Sequence, residues 1–119
     1  MTLQSFKDLI VWQKAIQLVK RVYILTEELP KSEVFGLSSQ MRRAAVSIPS
    51  NIAEGYKRKN TKEYVQFLSI ADASAAELET QIIIMKEVYK TNRATDAEST
   101  LVEIQKMLIA LIRKLNPKP

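Results

Sequence analysis

The chain has 119 residues, of which 46% are hydrophobic and 26% charged, with a net charge of +5 at pH 7. It contains no cysteine and no histidine, which excludes disulfides, thiolate metal sites and the commonest general base. Two glycines and four prolines argue against disorder and against a turn-rich β protein. We expect one domain, residues 1–119, with a modest core.

Nothing in the sequence predicts a membrane or secretory segment. Residues 1–5 lack the basic and apolar pattern of a signal peptide. The longest apolar runs, such as Ile82–Met85, span only a few residues, whereas a membrane helix needs about 20. We therefore expect a cytoplasmic protein without membrane partners.

The positive charge is concentrated in the middle of the chain. Residues 36–63 hold six Lys or Arg and two Asp or Glu, whereas residues 64–92 hold two and four. A basic patch of this kind suits a polyanion such as nucleic acid. In a lone monomer, a solvated face that aids solubility is the favoured interpretation.

The first helix is predicted to run from Ser5 to about Leu29, where Pro30 ends it. Ser5 with Asp8 three residues later resembles a capping box. The helix carries two neighbouring apolar stripes, one formed by Leu9, Trp12, Ile16, Val19 and Tyr23, the other by Val11, Ala15, Leu18, Val22 and Leu25. One stripe is enough for one neighbour, so two stripes predict packing on two sides, the second against another subunit.

The second helix is predicted to begin between Ser32 and Ser38 and to continue as one helix kinked at Pro49. This interpretation is favoured because the apolar spacing runs through the proline without a slip. The alternative is a helix that stops at Ser47 and restarts with Pro49 in its first turn. Gly55, followed by cations, indicates the end of the helix.

The third and fourth helices carry heptad seams. Asn60 with Glu63 opens the third helix and Thr95 with Glu98 opens the fourth, both as capping-box-like pairs. The third seam comprises Tyr64, Leu68, Ala71, Ala75, Leu78, Ile82, Met85 and Tyr89, and the fourth comprises Leu101, Ile104, Leu108, Leu111 and Leu115. Four helices with short connections predict an all-α fold, an antiparallel up-and-down four-helix bundle.

Residues 37–59, LSSQMRRAAVSIPSNIAEGYKRK, resemble the signature of the family encoded in intervening sequences of bacterial 23S rRNA genes, also called the S23 ribosomal protein family. The resemblance covers about residues 6–90, through DLIVWQKAIQLV, ELPKSEVFGL and EYVQFLSIADASAAELETQI, while the last helix is generic. It implies a homo-oligomer, most often a pentamer of bundles around a central axis, without established enzymatic activity. The accessory proteins of diversity-generating retroelements are a related group with the same architecture. The resemblance to this group implies binding of nucleic acid and of a reverse transcriptase.

Polar residues in and near this signature predict a structural cluster at a subunit boundary. The cluster comprises Ser47, Pro49, Asn51, Glu54, Gly55, Ser74 and Glu77. A buried charge must be paired, so we expect Arg43 near Glu54 or Glu77. The alternative is that these residues are ordinary exposed positions of two helices.

A basic run at the end of the signature is the candidate site for nucleic acid. The candidate residues are Arg42, Arg43, Tyr56, Lys57, Arg58, Lys59 and Lys62. Tyr56 and Tyr64 flank the run and could stack on bases. One basic run is weak evidence for nucleic-acid binding. The evidence is stronger if several copies of the chain repeat the run around a ring.

Enzyme and cofactor interpretations have little support. The chain has no Gly-rich phosphate loop and no Glu-x-x-His pairs of a di-iron bundle, and Glu77 and Glu79 point to different helix faces. We therefore predict no cofactor and no catalysis. The sequence predicts a non-enzymatic, homo-oligomeric bundle that binds RNA or DNA through its basic surface. The alternative is a structural scaffold that docks a partner protein, such as a reverse transcriptase, without direct nucleic-acid binding.

Overall fold

The computed structural model describes residues 5–116 and contains four α-helices in that range. Their bounds are α1 Ile10–Thr26, α2 Leu37–Tyr56, α3 Thr61–Tyr89 and α4 Thr95–Leu115. Short 3₁₀ turns at Phe6–Asp8 and Lys31–Glu33 precede α1 and α2, and no strand occurs in the described range. The prediction of an all-α, four-helix fold is confirmed.

Each helix packs against its neighbours in the chain, and α4 returns to α1, so the four helices form a closed ring of contacts. Neighbours are antiparallel: between α1 and α4, Lys14 pairs with Glu103 while Arg21 donates to Thr100. The starts of α1 and α3 therefore lie at the same end of the bundle as the last turns of α2 and α4. This arrangement determines which charged residues lie close together at each end of the bundle.

The core follows the predicted apolar seams. In α3, the six seam residues from Leu68 to Met85 are at most 1% exposed, while Tyr64 and Tyr89 are partly buried at the two ends. In α4, Leu101, Ile104 and Leu108 are buried. The heptad spacing therefore predicted which residues of both helices face the core.

The two stripes of α1 have different environments. The stripe from Val11 to Leu25 is buried in the core. The second stripe lies at the boundary with α2 and is only partly covered, and its last member, Tyr23, is 42% exposed. Within one chain, α1 thus buries one apolar stripe completely and the other incompletely.

The start and the end predicted for the first helix were both wrong. Ser5 Oγ accepts a hydrogen bond from the Lys7 N–H at 3.1 Å and so caps the 3₁₀ turn, and extended Leu9 separates that turn from α1. At the other end, Glu27 N–H bonds to Ile24 O and tightens the last turn. The helix therefore ends at Thr26, before the residues that Pro30 restrains.

The capping predictions for the last two helices had different outcomes. Asn60 Oδ1 accepts from the Glu63 N–H at 2.9 Å, which confirms the predicted start of α3. The Thr95 cap was wrong, because α4 begins after Ala94 without any side-chain cap. The Glu98 carboxylate instead lies 2.9 Å from Lys86 Nζ of α3, so a tertiary ion pair engages the side chain expected to complete the cap.

Helix α2 continues through Pro49, which is buried, as the sequence predicted for a single helix. Helix α2 ends at Tyr56, one residue beyond Gly55 and directly before the cations, as predicted, but Gly55 has no positive φ and so forms no left-handed cap. A Cβ at position 55 would lie 2.8 Å from Phe67 Cβ and 3.2 Å from Tyr64 O. The glycine is therefore required by the close approach of α3, which corrects its predicted role.

Candidate nucleic-acid interface

The antiparallel topology collects exposed cations at one end of the bundle, where α1 and α3 start and where α2 and α4 finish. We call this surface the basic end; its cations are Lys7, Lys57, Arg58, Lys59, Lys62, Arg113 and Lys114. The carboxylates of the same segments are Asp8, Glu54 and Glu63. Positive charge therefore predominates over this surface.

Aromatic rings position two of these cations. Lys57 caps the end of α2, and its Nζ lies 5.8 Å from the centre of the Phe6 ring. The Arg58 guanidinium lies 4.6 Å from the centre of the Phe67 ring and 3.5 Å from the Glu54 carboxylate. Both Arg58 and Glu54 stay largely exposed, so this ion pair leaves the guanidinium accessible.

The two tyrosines that flank the basic run lie against each other. Their rings meet edge to face, with centres 6.1 Å apart and planes at 86°. Burial raises the pKa of Tyr64 above its ordinary value of 10.0, and Tyr56 nearby raises it further. Tyr64 also packs beside Gly55, which gives it a part in the contact between α2 and α3. Stacking of Tyr56 or Tyr64 on bases stays a prediction.

Arg42 and Arg43 lie away from the basic end. The Arg42 guanidinium stacks 4.4 Å from the centre of the Tyr23 ring and donates to Thr26 Oγ1 at 2.8 Å. Arg43 is exposed and forms no ion pair within residues 5–116. Arg42 and Arg43 lie fifteen and fourteen positions before Lys57, roughly 20 Å along α2. The structure thus does not bring them together with the basic run.

The predicted polar cluster contains a compact centre that joins α2 to α3. Ser47 Oγ lies 2.9 Å from Ser74 Oγ, and Asn51 Nδ2 donates to both the Ser47 carbonyl at 2.8 Å and its hydroxyl at 2.9 Å. Pro49 and Gly55 are buried on the same helix, whereas Glu54 and Glu77 are exposed.

The ion pair expected for Arg43 does not form within the chain. Glu54, in the last turn of α2, pairs instead with Arg58, which lies four residues later just beyond the end of that helix. Glu77 is exposed and has no ionic partner within residues 5–116. Arg43 and Glu77 are therefore both available to a second molecule.

Sequence reasoning missed three cations of the basic end. Lys7 precedes α1, and Arg113 and Lys114 lie in the last turn of α4, far from the basic run in sequence. The up-and-down order of the helices was the available signal, because it places these three segments at one end. No feature of the sequence indicated that the rings of Phe6 and Phe67 would position Lys57 and Arg58.

No helix between residues 5 and 116 is both long enough and apolar enough to span a membrane. The same range contains no group of three or more acidic side chains arranged to hold a metal ion.

Comparison with known proteins places the chain in a family. The family model described as 23S rRNA-intervening sequence protein matches residues 7–110, which reaches into α4, beyond the stretch where the sequence resemblance was visible. A solved structure from Bacteroides thetaiotaomicron, a protein with unknown function from the S23 ribosomal protein family, superimposes with a TM-score of 0.79 at 25% identity. The match covers 87% of this chain and 99% of that one. No curated protein sequence matches. The chain therefore belongs to the 23S rRNA-intervening sequence protein family.

Proposed function

We propose that this protein is a non-enzymatic, homo-oligomeric bundle that binds nucleic acid through its basic end. The observation that carries the proposal is the gathering of seven exposed cations from four separate segments onto one end, against three carboxylates. Phosphate backbones bind such surfaces by charge neutralisation and counterion release, without regard to sequence.

The opposite end of the bundle has a different charge balance. Its carboxylates are Glu27, Glu28, Glu33, Glu87, Asp96 and Glu98, and its cations are Lys31, Lys86, Lys90 and Arg93. Four of these residues already form two ion pairs, Lys86 with Glu98 and Arg93 with Glu28. Solubility alone requires no segregation of charge, so the asymmetry supports a directed contact with a polyanion.

Assembly would multiply this contact. The incompletely covered stripe of α1 gives the bundle an apolar face suited to another copy. If the copies surround an axis with their bundles parallel, all basic ends face the same side. Phosphate contacts of several copies then act on one strand, which raises the overall affinity above that of a single copy.

The test is binding of a labelled generic RNA, followed by fluorescence anisotropy from about 50 to 200 mM salt. The proposal predicts affinity that falls steeply with salt, by several orders of magnitude if six or more phosphates are contacted. The variant Lys57→Ala/Arg58→Ala/Lys59→Ala should bind more weakly at every salt concentration. Absence of binding at low salt would overturn the proposal.

The alternative function is a scaffold that docks a partner protein, such as a reverse transcriptase, without contacting nucleic acid directly. The observation that favours it is Phe35, which lies 97% exposed before α2 and presents an apolar ring to a partner. The same RNA experiment separates the two functions, because the scaffold predicts no salt-sensitive RNA binding. The relation to retroelement accessory proteins stays a prediction.

A further inference from the structure

An apolar groove runs along the outside of the bundle between α1 and α2. Two depressions of about 890 and 300 Å³ share Val46 and form one continuous groove. Its apolar floor includes Trp12, Ile16, Val19, Tyr23, Val46 and Pro49. One end of the groove is bordered by the exposed Phe35. We call this surface the α1/α2 groove.

A second apolar surface lies on α3. Ile70, Ile84 and Val88 are 48%, 43% and 61% exposed, and Glu77 lies midway between the two isoleucines. Spacings of seven and four residues keep these side chains on one side of the helix. They lie outside the buried seam of α3, and we call them the α3 outer stripe.

We propose that the α3 outer stripe of one copy docks in the α1/α2 groove of the next copy, with Glu77 facing Arg43. The proposal rests on the homo-oligomer proposed above and identifies its interface. The occupant of the groove is therefore a second copy of this chain.

Charge complementarity supports this occupant. Arg43 lies beside the groove and has no carboxylate partner within residues 5–116, and Glu77 has no cationic partner in the same range. Glu54, the other carboxylate considered for Arg43, is already paired with Arg58. Arg43 at the groove and Glu77 within the α3 outer stripe are thus opposite charges, each beside an apolar surface and without an ion pair in the described range.

The heights of these residues along the bundle also agree. Ser47 of α2 faces Ser74 of α3, and the helices are antiparallel, so Arg43 and Glu77 lie at nearly the same height. Rotation about an axis parallel to the bundle leaves height unchanged. Every copy therefore presents Arg43 level with Glu77 of its neighbour.

The apolar residues follow the same register. Val88 lies near the end of α3 that is level with the start of α2, where Phe35 is exposed. Ile70, nearer the start of α3, is level with the part of the groove floored by Trp12 and Ala53. The stripe from Ile70 to Val88 is about 27 Å long, and the groove is lined on the α2 side from Phe35 to Ala53.

The two surfaces are different, so the contact is heterologous and generates a ring if the rotation closes. All bundles in such a ring point the same way. The basic ends of every copy then lie on one side of the ring, as the proposed nucleic-acid contact requires.

The test is charge reversal, read by light scattering and sedimentation. The wild type should be one species much larger than its 13.6 kDa chain. Arg43→Glu and Glu77→Arg should each raise the dissociation constant of the assembly at least about tenfold, because like charges then meet. The double variant Arg43→Glu/Glu77→Arg should restore assembly.

Circular dichroism checks that these exposed substitutions leave the helices intact. As a second probe, Phe35→Ser should weaken assembly without loss of helix. An oligomeric wild type that tolerates Arg43→Glu, or a double variant that stays dissociated, would overturn this interface while leaving the homo-oligomer standing. A monomeric wild type would instead overturn the assembly itself.

Discussion

At the scale of single residues, Gly55 shows how the absence of a side chain allows two helices to approach closely. Its α-carbon faces Phe67 and Tyr64 so closely that an added Cβ would lie 2.8 Å from Phe67 Cβ. The nearest atoms are Phe67 Cβ, then Tyr64 Cδ1 at 3.0 Å and Tyr64 O at 3.2 Å. The Phe67 Cβ and the Tyr64 carbonyl are fixed by the backbone of α3 and cannot swing aside. Accommodation would therefore require α2 and α3 to move apart.

We expect Gly55→Ala to destabilise the fold by about 1–2 kcal/mol. Overpacking costs about 1–3 kcal/mol, whereas the better helix propensity of alanine returns only about 0.5–1 kcal/mol. The measurement is denaturant unfolding followed by circular dichroism. Gln40→Ala, at an exposed position of the same helix, is the control and should change stability by less than about 0.5 kcal/mol. An unchanged unfolding midpoint for Gly55→Ala would contradict the close approach.

A second residue-scale feature is the carboxylate of Glu33, which joins three elements. It accepts hydrogen bonds from the Tyr89 hydroxyl at the end of α3 and from the Leu37 N–H at the start of α2. The bond from Tyr89, followed by that from Leu37, lowers the pKa of Glu33 below its ordinary value of 4.5. The same contact raises the pKa of Tyr89 above 10.0.

We predict that stability contributed by Glu33 depends on pH in a definite direction. Because the pKa of Glu33 is lowered in the folded state, its contribution is full above pH 4.5 and is lost as pH falls through the lowered pKa. The difference in Tm between wild type and Glu33→Gln should therefore be present near neutral pH and shrink in acid. A Tm difference independent of pH would count against the hydrogen bond.

At the scale of elements, the pairing of α2 with α3 depends on small residues. Ala71 and Ala75 are fully buried on α3, and Ser74 beside them bonds to Ser47 of α2. Small side chains in this stretch allow close helix packing. A larger side chain at these positions should therefore destabilise the fold.

We predict that Ala75→Leu destabilises the bundle by about 1–3 kcal/mol through overpacking. Ala76→Leu is a matched control, because the next residue along α3 is exposed and the added atoms are the same. It should change the free energy of unfolding by less than about 0.5 kcal/mol. Equal effects of the two substitutions in thermal or denaturant unfolding would show that Ala75 is not tightly packed.

The sequence predicted the interiors of these helices better than their ends. Heptad seams such as that of α3 report burial over many turns, so a single odd residue does not change the outcome. A cap depends on one side chain, and a competing contact removes it. Glu98 forms an ion pair with Lys86 of another helix, and Ser5 caps a 3₁₀ turn instead of α1. Neither contact could be predicted from the local spacing of residues.

The candidate site was predictable only in part for a related reason. The run from Lys57 to Lys59 is contiguous and was found directly. Arg113 belongs to the same end only because α4 runs back along α1, which requires the topology. Arg42 was grouped with the run because it lies in the same sequence signature, yet helical rise carries it roughly 20 Å away.

At the scale of the whole molecule, the topology separates three kinds of surface. Cations from four segments lie at one end, and two apolar surfaces, the α1/α2 groove and the α3 outer stripe, lie along the sides. The sides suit contacts between copies and the end suits a polyanion. A ring built through the sides leaves every basic end accessible.

The most direct test of the central claim compares how salt weakens RNA binding by two variants of equal charge change. Lys57→Ala/Arg58→Ala/Lys59→Ala removes cations of the basic end, whereas Lys31→Ala/Lys90→Ala/Arg93→Ala removes three from the opposite end. For a single-stranded RNA, the first variant should flatten the slope of log affinity against log salt by about 2 for each bound copy, and the second should leave it near wild type. Equal slopes for the two variants would contradict binding through the basic end.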